Sequence, residues 1–342
     1  MKDFTFTTLT SSMYDDRINT IGGHLTQSFL YNLWQKERPG VEVERLILQK
    51  QNEPQIFLQI LIAPLAGGKK QAFIPHGPIA LTKNINRETI DALVINLKQY
   101  SQKNNIAFVR FDPQFFTPET LKNIKEKTRP TPKKGYYSVL SQPRYEWLVD
   151  ISKSETELLN SLNKNTRYSI RTAIKRGTTT KIVSNNLNQY FPEFYRLMEE
   201  TANRAGFKLH PKKYYQHIFT TLNNQNQSFL VVSEFKQEIL AINLIVIYGG
   251  TALFVFGASS SSYREQFSTY LSHWVGFLES ARLGAKHYSF GGVSHETDLS
   301  WQNVSHFKKQ FTGLIKDFGP TFDLVISPFW YYLYIIKKKL NI

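Results

Sequence analysis

Two stretches of this chain repeat one order of elements, and that repetition limits the fold more than any single motif does. In the first, strand-like apolar runs at Val41 to Gln49, Gln55 to Leu65 and Gln71 to Leu81 are separated by turn signals at Asn52-Glu53-Pro54 and Gly67-Gly68. A helix follows, with Ile90, Leu93, Val94 and Leu97 at helical spacing, and then a strand, Ile106 to Phe111, that stops at Asp112-Pro113. The second copy runs Phe229 to Glu234, Ile239 to Tyr248, a Gly249-Gly250 turn, Leu253 to Ala258, a helix over Tyr263 to Leu283, and the strand Tyr288-Ser289-Phe290-Gly291-Gly292-Val293. Strand, turn, strand, helix, strand, written twice, predicts an α/β (α+β) chain of two mixed sheets flanked by helices. Its 342 residues are enough for two cores. A Pro- and Lys-rich linker, Arg129-Pro130-Thr131-Pro132-Lys133-Lys134-Gly135, puts the boundary near residue 145, giving domains 1–144 and 145–342.

Strand ends are where ligands gather in such sheets, so Asp112 and the Gly291-Gly292 pair mark the two places to look for chemistry. Glycine there permits close approach or positive φ. Beyond the second strand lies Phe307-Lys308-Lys309-Gln310-Phe311. Phe307 and Phe311, one helical turn apart, anchor a face from which Lys308 is expected to turn away. On local sequence alone, an ordinary βα junction with solvating lysines fits equally well.

Charge and missing residues narrow the chemistry. Forty-two Lys and Arg against 27 Asp and Glu leave a formal charge of +15, which favours polyanions such as RNA, nucleotides or an anionic membrane surface. Between residues 145 and 229 three helices are expected, and the first carries Lys164, Arg167, Arg171 and Lys175 along one side while Ile170 and Ile174 take another. No acidic residue interleaves from Lys164 to Arg176, so a polyanion contact stands beside the plainer reading of a solvated face. Cysteine is absent, and the eight histidines lack metal-ligand spacing, so neither a thiol nucleophile nor a metal is expected. No Walker loop, GxGxxG, HExxH or GxSxG occurs. No signal-peptide core or membrane-length apolar run is present, which points to a cytoplasmic protein. The segment Ile326 to Lys339 is aromatic, then apolar, then basic, and fits either a helix at the membrane surface or a tail docked on its own domain.

The doubled mixed sheets suggest the GNAT acyltransferase architecture, yet Gly257-Ala258-Ser259-Ser260-Ser261-Ser262 lacks the Q/R-x-x-G-x-G/A loop that wraps coenzyme A. A different acyl donor is therefore expected. Taken in order, Thr26-Gln27, Val109 to Pro113, the basic helix around Arg167 to Gly177, Arg204 through Tyr215, Phe256-Gly257-Ala258-Ser259, Tyr288 to Val293 and Phe307-Lys308 resemble the FemABX aminoacyltransferases. With no heptad insertion for a coiled-coil arm, the chain looks most like the compact FemX type.

The resemblance implies tandem GNAT-like domains, the first for the acceptor and the second for the tRNA side. It also implies transfer of an aminoacyl group from aminoacyl-tRNA to an amine of a peptidoglycan stem peptide, on UDP-MurNAc-pentapeptide or lipid II. By the same resemblance Lys308 and Asp112 are catalytic, and Lys36, Arg204, His210, Tyr214, Phe256 and Phe307 bind substrate. Arg167, Arg171, Lys175 and Lys309 face tRNA. No cofactor is implied, and a monomer with peripheral membrane contact is expected. His210 stands where relatives carry arginine, Phe256 where they carry tyrosine, and Ser289 where Tyr-Asp-x-Gly-Gly has aspartate. These departures leave open an altered acceptor or merely structural retuning. Two other functions stay open: N-acyl transfer to another amine, and a non-catalytic RNA- or membrane-binding relative.

Overall fold

The computed structural model describes residues 3–83, 85–131, 142–223, 225–294 and 302–340. From Pro132 onward the expected linker lies outside those residues. The chain divides into two compact units, one of Met1–Arg144 with Asp317–Ile342 and one of Tyr145–Lys316. A second domain of 145–342 therefore needs correction: residues 317–342 belong with the first unit.

The first unit contains β1 (Phe4–Thr8), α1 (Asp15–Thr20), α2 (Phe29–Lys36), β2 (Glu42–Lys50), β3 (Glu53–Pro64), β4 (Lys70–Ile74), β5 (Ile79–Ala80), α3 (Arg87–Lys103), β6 (Ile106–Phe111), α4 (Pro118–Lys127) and β7 (Arg129–Pro130). The second holds β8 (Tyr145–Asp150), α5 (Glu155–Ser161), α6 (Lys164–Lys175), β9 (Thr179–Val183), α7 (Phe191–Ala205), α8 (Lys212–Leu222), β10 (Ser228–Phe235), β11 (Glu238–Tyr248), β12 (Thr251–Ser259), α9 (Ser268–Arg282), β13 (His287–Gly292), α10 (Gln302–Lys309) and, at its end, β14 (Leu314–Asp317). The chain then returns to the first unit as β15 (Phe322–Val325) and α11 (Pro328–Lys339).

The two sheets run β1-β2-β3-β4-β6-β15-β7, with β5 on β3, and β14-β8-β13-β12-β11-β10-β9. Each has a parallel pair, β4 with β6 and β12 with β13, set among antiparallel neighbours. A parallel pair needs a crossover, and α3 and α9 supply it. Ile90, Leu93, Val94 and Leu97 of α3 are buried against the first sheet's core with Leu58, Ile60 and Val109. The Asn86 side chain caps that helix by accepting from Thr89 N at 3.0 Å. In the second unit, Phe229, Val231, Ile245 and Tyr288 of the sheet share a core with Leu271, Trp274 and Phe277 of α9.

Several expected elements differ in detail. The run Gln71 to Leu81 is cut into β4 and β5, because His76 takes φ +47°. Helix α9 starts at Ser268 rather than Tyr263, since Tyr263 and Phe267 adopt φ of +51° and +49° around a short 3-10 turn. Between β8 and β10 lie four helices and the edge strand β9, not three helices. The extra helix α5 is only seven residues long and is set by a Ser154/Glu157 capping box. On α6, Ile170 is buried but Ile174 points to solvent, so the buried face is Thr166, Ser169, Ile170 and Ala173.

The chain's return is fastened by a buried ion pair. Arg110 of β6 donates from Nε and Nη2 to the two carboxylate oxygens of Asp323 on β15, at 2.8 and 2.9 Å. Tyr331 Oη and Thr131 Oγ1 donate to the same carboxylate at 2.9 and 3.1 Å. Removing one partner strands the other charge without water, so Asp323→Ala is expected to cost about 3–5 kcal/mol. Denaturant unfolding together with amide exchange at β6 checks this; a loss below ~1 kcal/mol would show that the pair does not hold the strand.

Candidate active site

In the second unit the parallel pair stays together only over Thr251–Leu253 and His287–Ser289, after which β12 and β13 no longer pair with each other. Strand β12 carries on to Ser259 with a bulge between its Phe256 and Phe254 pairings, and β13 irregularly shifts register against β8 between Ser289 and Gly292. Gly291 at φ +70° lies within that irregularity. Gly257 accommodates the Phe254 ring, which would meet a Cβ at 2.2 Å.

At the end of β13 the Gly292 carbonyl accepts a 2.6 Å hydrogen bond from Lys308 Nζ. Lys308 is only 8% exposed, so the expectation that it turns away from the buried face is corrected. Phe307, on α10, packs edge-on to Tyr270 at 5.5 Å, and Phe311, which lies in the turn just past the helix rather than on it, is fully buried. Burial lowers the Lys308 amine from 10.5 to about 8, while the Glu146 carboxylate acts in the opposite direction. Glu146, buried on β8, accepts from Ser289 Oγ at 2.6 Å, and Ser289 Oγ accepts from Gly291 N at 3.0 Å. Where the family pattern has aspartate at position 289, this chain has a serine bonded to a glutamate from the adjoining strand. Beside them His273, fully buried, is pushed down to about 3 by burial and by the Lys308 charge, and its Nδ1 lies 3.0 Å from Tyr288 Oη. It is a neutral member of the aromatic wall of Phe254, Phe290, Phe307 and Phe311.

The other residues of the second unit fall into two further groups. Arg204 donates to Ser259 O, Ser259 Oγ and Ser261 Oγ at 3.2, 2.8 and 2.8 Å, which ties α7 to the end of β12. The His210 and Tyr214 rings lie 4.7 Å apart with their planes tilted by 55°, and Tyr215 joins His210 at 6.1 Å to Phe256 at 5.2 Å. The structure thus brings Arg204, His210, Tyr214 and Phe256 to one region around α7, α8 and β12. On α6, Lys164, Arg171 and Lys175 are exposed on the same face as Tyr168. Arg167 instead donates to the Asn160 and Leu162 carbonyls, at 3.1 Å for the first, and closes the end of α5. Lys309 is exposed, 3.5 Å from Ser294 O.

In the first unit, Asp112 ends β6 and is buried. Its N donates to Gly77 O at 2.9 Å, and its Oδ2 accepts from His76 N at 3.3 Å. Burial raises this carboxyl to about 6, against the pull of Thr321, His76 N and Arg110. The loop that faces it is pinned by Thr26 Oγ1 and Gln27 Nε2, both donating to Pro75 O at 2.9 and 2.7 Å. Gly77 is required there, because a Cβ would meet the Gln27 amide at 2.8 Å. The His76 ring is buried against His24 and Phe318, with centroids at 4.1 and 4.2 Å, and burial pushes its pKa well below the usual range. Lys36, at the end of α2, lines an open cavity of about 500 Å³ with Arg38, Gly40, Glu42, Pro64 and Lys70. Lys70 there is paired with Glu42 at 2.8 Å.

Sequence pattern alone does not single out Glu146, His273 or His76. The available signals were a carboxylate flanked by Tyr145 and Trp147 at a strand start, and histidines set in otherwise apolar or turn segments.

The model of the FemAB family matches this chain over residues 10–135, 131–237 and 231–339. The lipid II:glycine glycyltransferase of Staphylococcus aureus (strain USA300) is 21% identical over 387 aligned residues, covering 90% of this chain and 89% of its own. The crystal structure of FemX covers 97% of this chain and 100% of its own, with a TM-score of 0.82 at 20% identity. A tandem GNAT protein from the clavulanic acid biosynthesis pathway covers 95% and 99%, with a TM-score of 0.54 at 9% identity. The fold is thus a tandem of GNAT-like units.

A lysine whose folded pKa lies below its unfolded value destabilises the fold while charged. That cost is full below about 8 and disappears as pH rises toward 10.5. NMR titration of carbon-13-methylated lysines should place Lys308 near 8, and Glu146→Gln should lower it further, because Glu146 favours the charged form. A wild-type midpoint at 10.5, or no response to Glu146→Gln, would contradict this electrostatic picture.

Proposed function

Because the chain belongs to the FemAB family and is an aminoacyltransferase, we propose that it moves an aminoacyl group from aminoacyl-tRNA to an amine on the stem peptide of a peptidoglycan precursor, with lipid II as the acceptor. The observation that carries this reading is the Lys308 ammonium held at the glycine-ended strand, 2.6 Å from the Gly292 carbonyl. The named activity of the staphylococcal relative supports the choice of lipid II.

The chemistry asks little more of the protein. The acceptor amine attacks the ester carbonyl, a C–N bond forms, and the carbonyl oxygen becomes an oxyanion. Lys308 takes that charge. The intermediate then collapses, the C–O bond to the tRNA ribose breaks, and the ribose hydroxyl leaves with a proton that comes from the amine. Asp112, at the end of β6, is assigned the amine's hydrogen bond or its proton. Around α7, α8 and β12, the aromatic rings of His210, Tyr214 and Phe256 contact apolar parts of the substrate, and Arg204 braces the strand end. The Phe307 ring forms part of the wall at Lys308. On the tRNA side, Arg171 and Lys175 meet phosphate, with Lys309 near β13; Arg167 supports their helix from beneath. Lys36 and Arg38 supply cations for the acceptor's phosphates.

Transfer assays with charged tRNA and either lipid II or UDP-MurNAc-pentapeptide test the reading. Product on lipid II is expected; failure with both acceptors would end it, and product on the soluble precursor alone would correct the acceptor. Lys308→Ala should reduce transfer by about 10²–10³-fold without weakening tRNA binding. The rate should decline as pH rises through about 8, where Lys308 loses its charge, and this limb should vanish in Lys308→Ala. A second limb, rising through about 6, belongs to the Asp112 carboxylate and should be absent in Asp112→Asn. Arg171→Glu with Lys175→Glu is expected to weaken tRNA binding and flatten its salt dependence; unchanged tRNA affinity would remove α6 from the tRNA surface.

A further inference from the structure

The C-terminal helix α11 has two unlike faces. One is committed to its own unit: Tyr331 and Tyr334 lie against Phe108 at 5.3 and 5.1 Å, and Tyr331 Oη reaches the Asp323 carboxylate. Trp330 fits over Gly67, where any Cβ would come within 2.0 Å of its ring. The other face is an open apolar stripe. Phe329 is 70% exposed, Tyr332 45%, Leu333 41%, Ile336 52% and Leu340 61%, at spacings of three, one, three and four residues. Such spacing lines them along one side of a helix.

Large apolar side chains scattered singly on a surface need no explanation, whereas five in one stripe do. Basic groups border this stripe. Lys337 is exposed at one edge of it, and at the other the Arg129 guanidinium sits 5.6 Å from the Tyr332 ring. With 12 residues the helix is ~18 Å long, well short of the ~30 Å hydrocarbon layer. Among the described residues no helix is long and apolar enough to cross a membrane.

We propose that α11 lies in the interface of an anionic phospholipid membrane, with Phe329, Leu333, Ile336 and Leu340 below the headgroups and Lys337 and Arg129 among their phosphates. Charge decides between occupants. A second copy of this chain would bring a further +15 to a patch already flanked by Lys337 and Arg129, while an anionic surface neutralises it. The inference stands on the helix alone and does not require the transfer reaction. It does place the protein where a lipid-linked acceptor would be met.

The test uses the full chain with vesicles of phosphatidylcholine alone and of phosphatidylcholine with phosphatidylglycerol. Co-sedimentation is expected with the anionic vesicles and should weaken with salt. The variant combining Phe329→Ser, Leu333→Ser and Ile336→Ser removes only exposed groups and should keep the wild-type thermal transition while losing about tenfold or more in partitioning. Lys337→Glu should weaken the preference for phosphatidylglycerol. Wild-type protein that ignores both vesicles, or a triple serine variant that binds as well as wild type, overturns the proposal. So does a self-association in sedimentation velocity that disappears in the triple variant with no lipid binding, which would assign the stripe to a second copy. Because vesicle binding is read without tRNA or acceptor, its outcome is separate from that of the transfer assays.

Discussion

Each sheet turns on one parallel strand pair, and much of the architecture follows from that constraint. Parallel neighbours cannot be joined by a hairpin, so α3 and α9 must cross over between β4 and β6 and between β12 and β13. The same geometry makes the carboxyl ends of the paired strands emerge on one side of each sheet. Asp112 leaves the end of β6, and Gly292 that of β13. In the second unit the pair separates after three residue partners, leaving aromatic side chains to fill the space between the strands. A continuous parallel ladder there would pair the backbone around Gly292 in the sheet. Divergence is what frees that carbonyl's neighbourhood to receive Lys308.

The repeat of strand, hairpin, helix and strand was legible because its signals are local: alternating apolar runs, Gly-Gly turns and the 3–4 spacing of α3. The strand Ile106 to Phe111 is found at the residues expected. Long-range partners left weaker traces. Nothing around Asp323 says that β15 will pair with β6, some 213 residues earlier in the chain, and the assignment of residues 317–342 to the second domain failed for that reason. Positive φ at Tyr263 and Phe267 is equally invisible in composition, because aromatic residues of this size do not advertise a left-handed backbone.

At the site, the residue type was readable and its environment was not. Two phenylalanines around a lysine announce a helical turn, but not which way the lysine points. The deciding neighbours are Gly292, reached 16 residues back, and Glu146, which is brought in by strand pairing between β8 and β13. Serine at 289 looks like the loss of a carboxylate when the strand is considered by itself. Its bond to Glu146 shows that an acidic group is still present on the adjoining strand, so the local charge differs in position more than in sign.

Three buried cations show why Lys308 is set apart from structural pairing. Arg45 is bonded to Asp15 and flanked by the Phe29 and Phe57 rings at 5.4 and 5.0 Å. Arg110 has the two-pronged Asp323 contact, and that carboxylate raises its pKa in spite of burial. Each guanidinium is met by a carboxylate in direct contact. Lys308 donates to a neutral carbonyl instead, with Glu146 acting only through its charge, and the balance falls the other way, to about 8. A cation stabilised by its fold would have the closer carboxylate. One that must respond to negative charge arising on a substrate is better served by a carbonyl, because an oxyanion formed nearby then meets an ammonium that no protein carboxylate in direct contact has already neutralised.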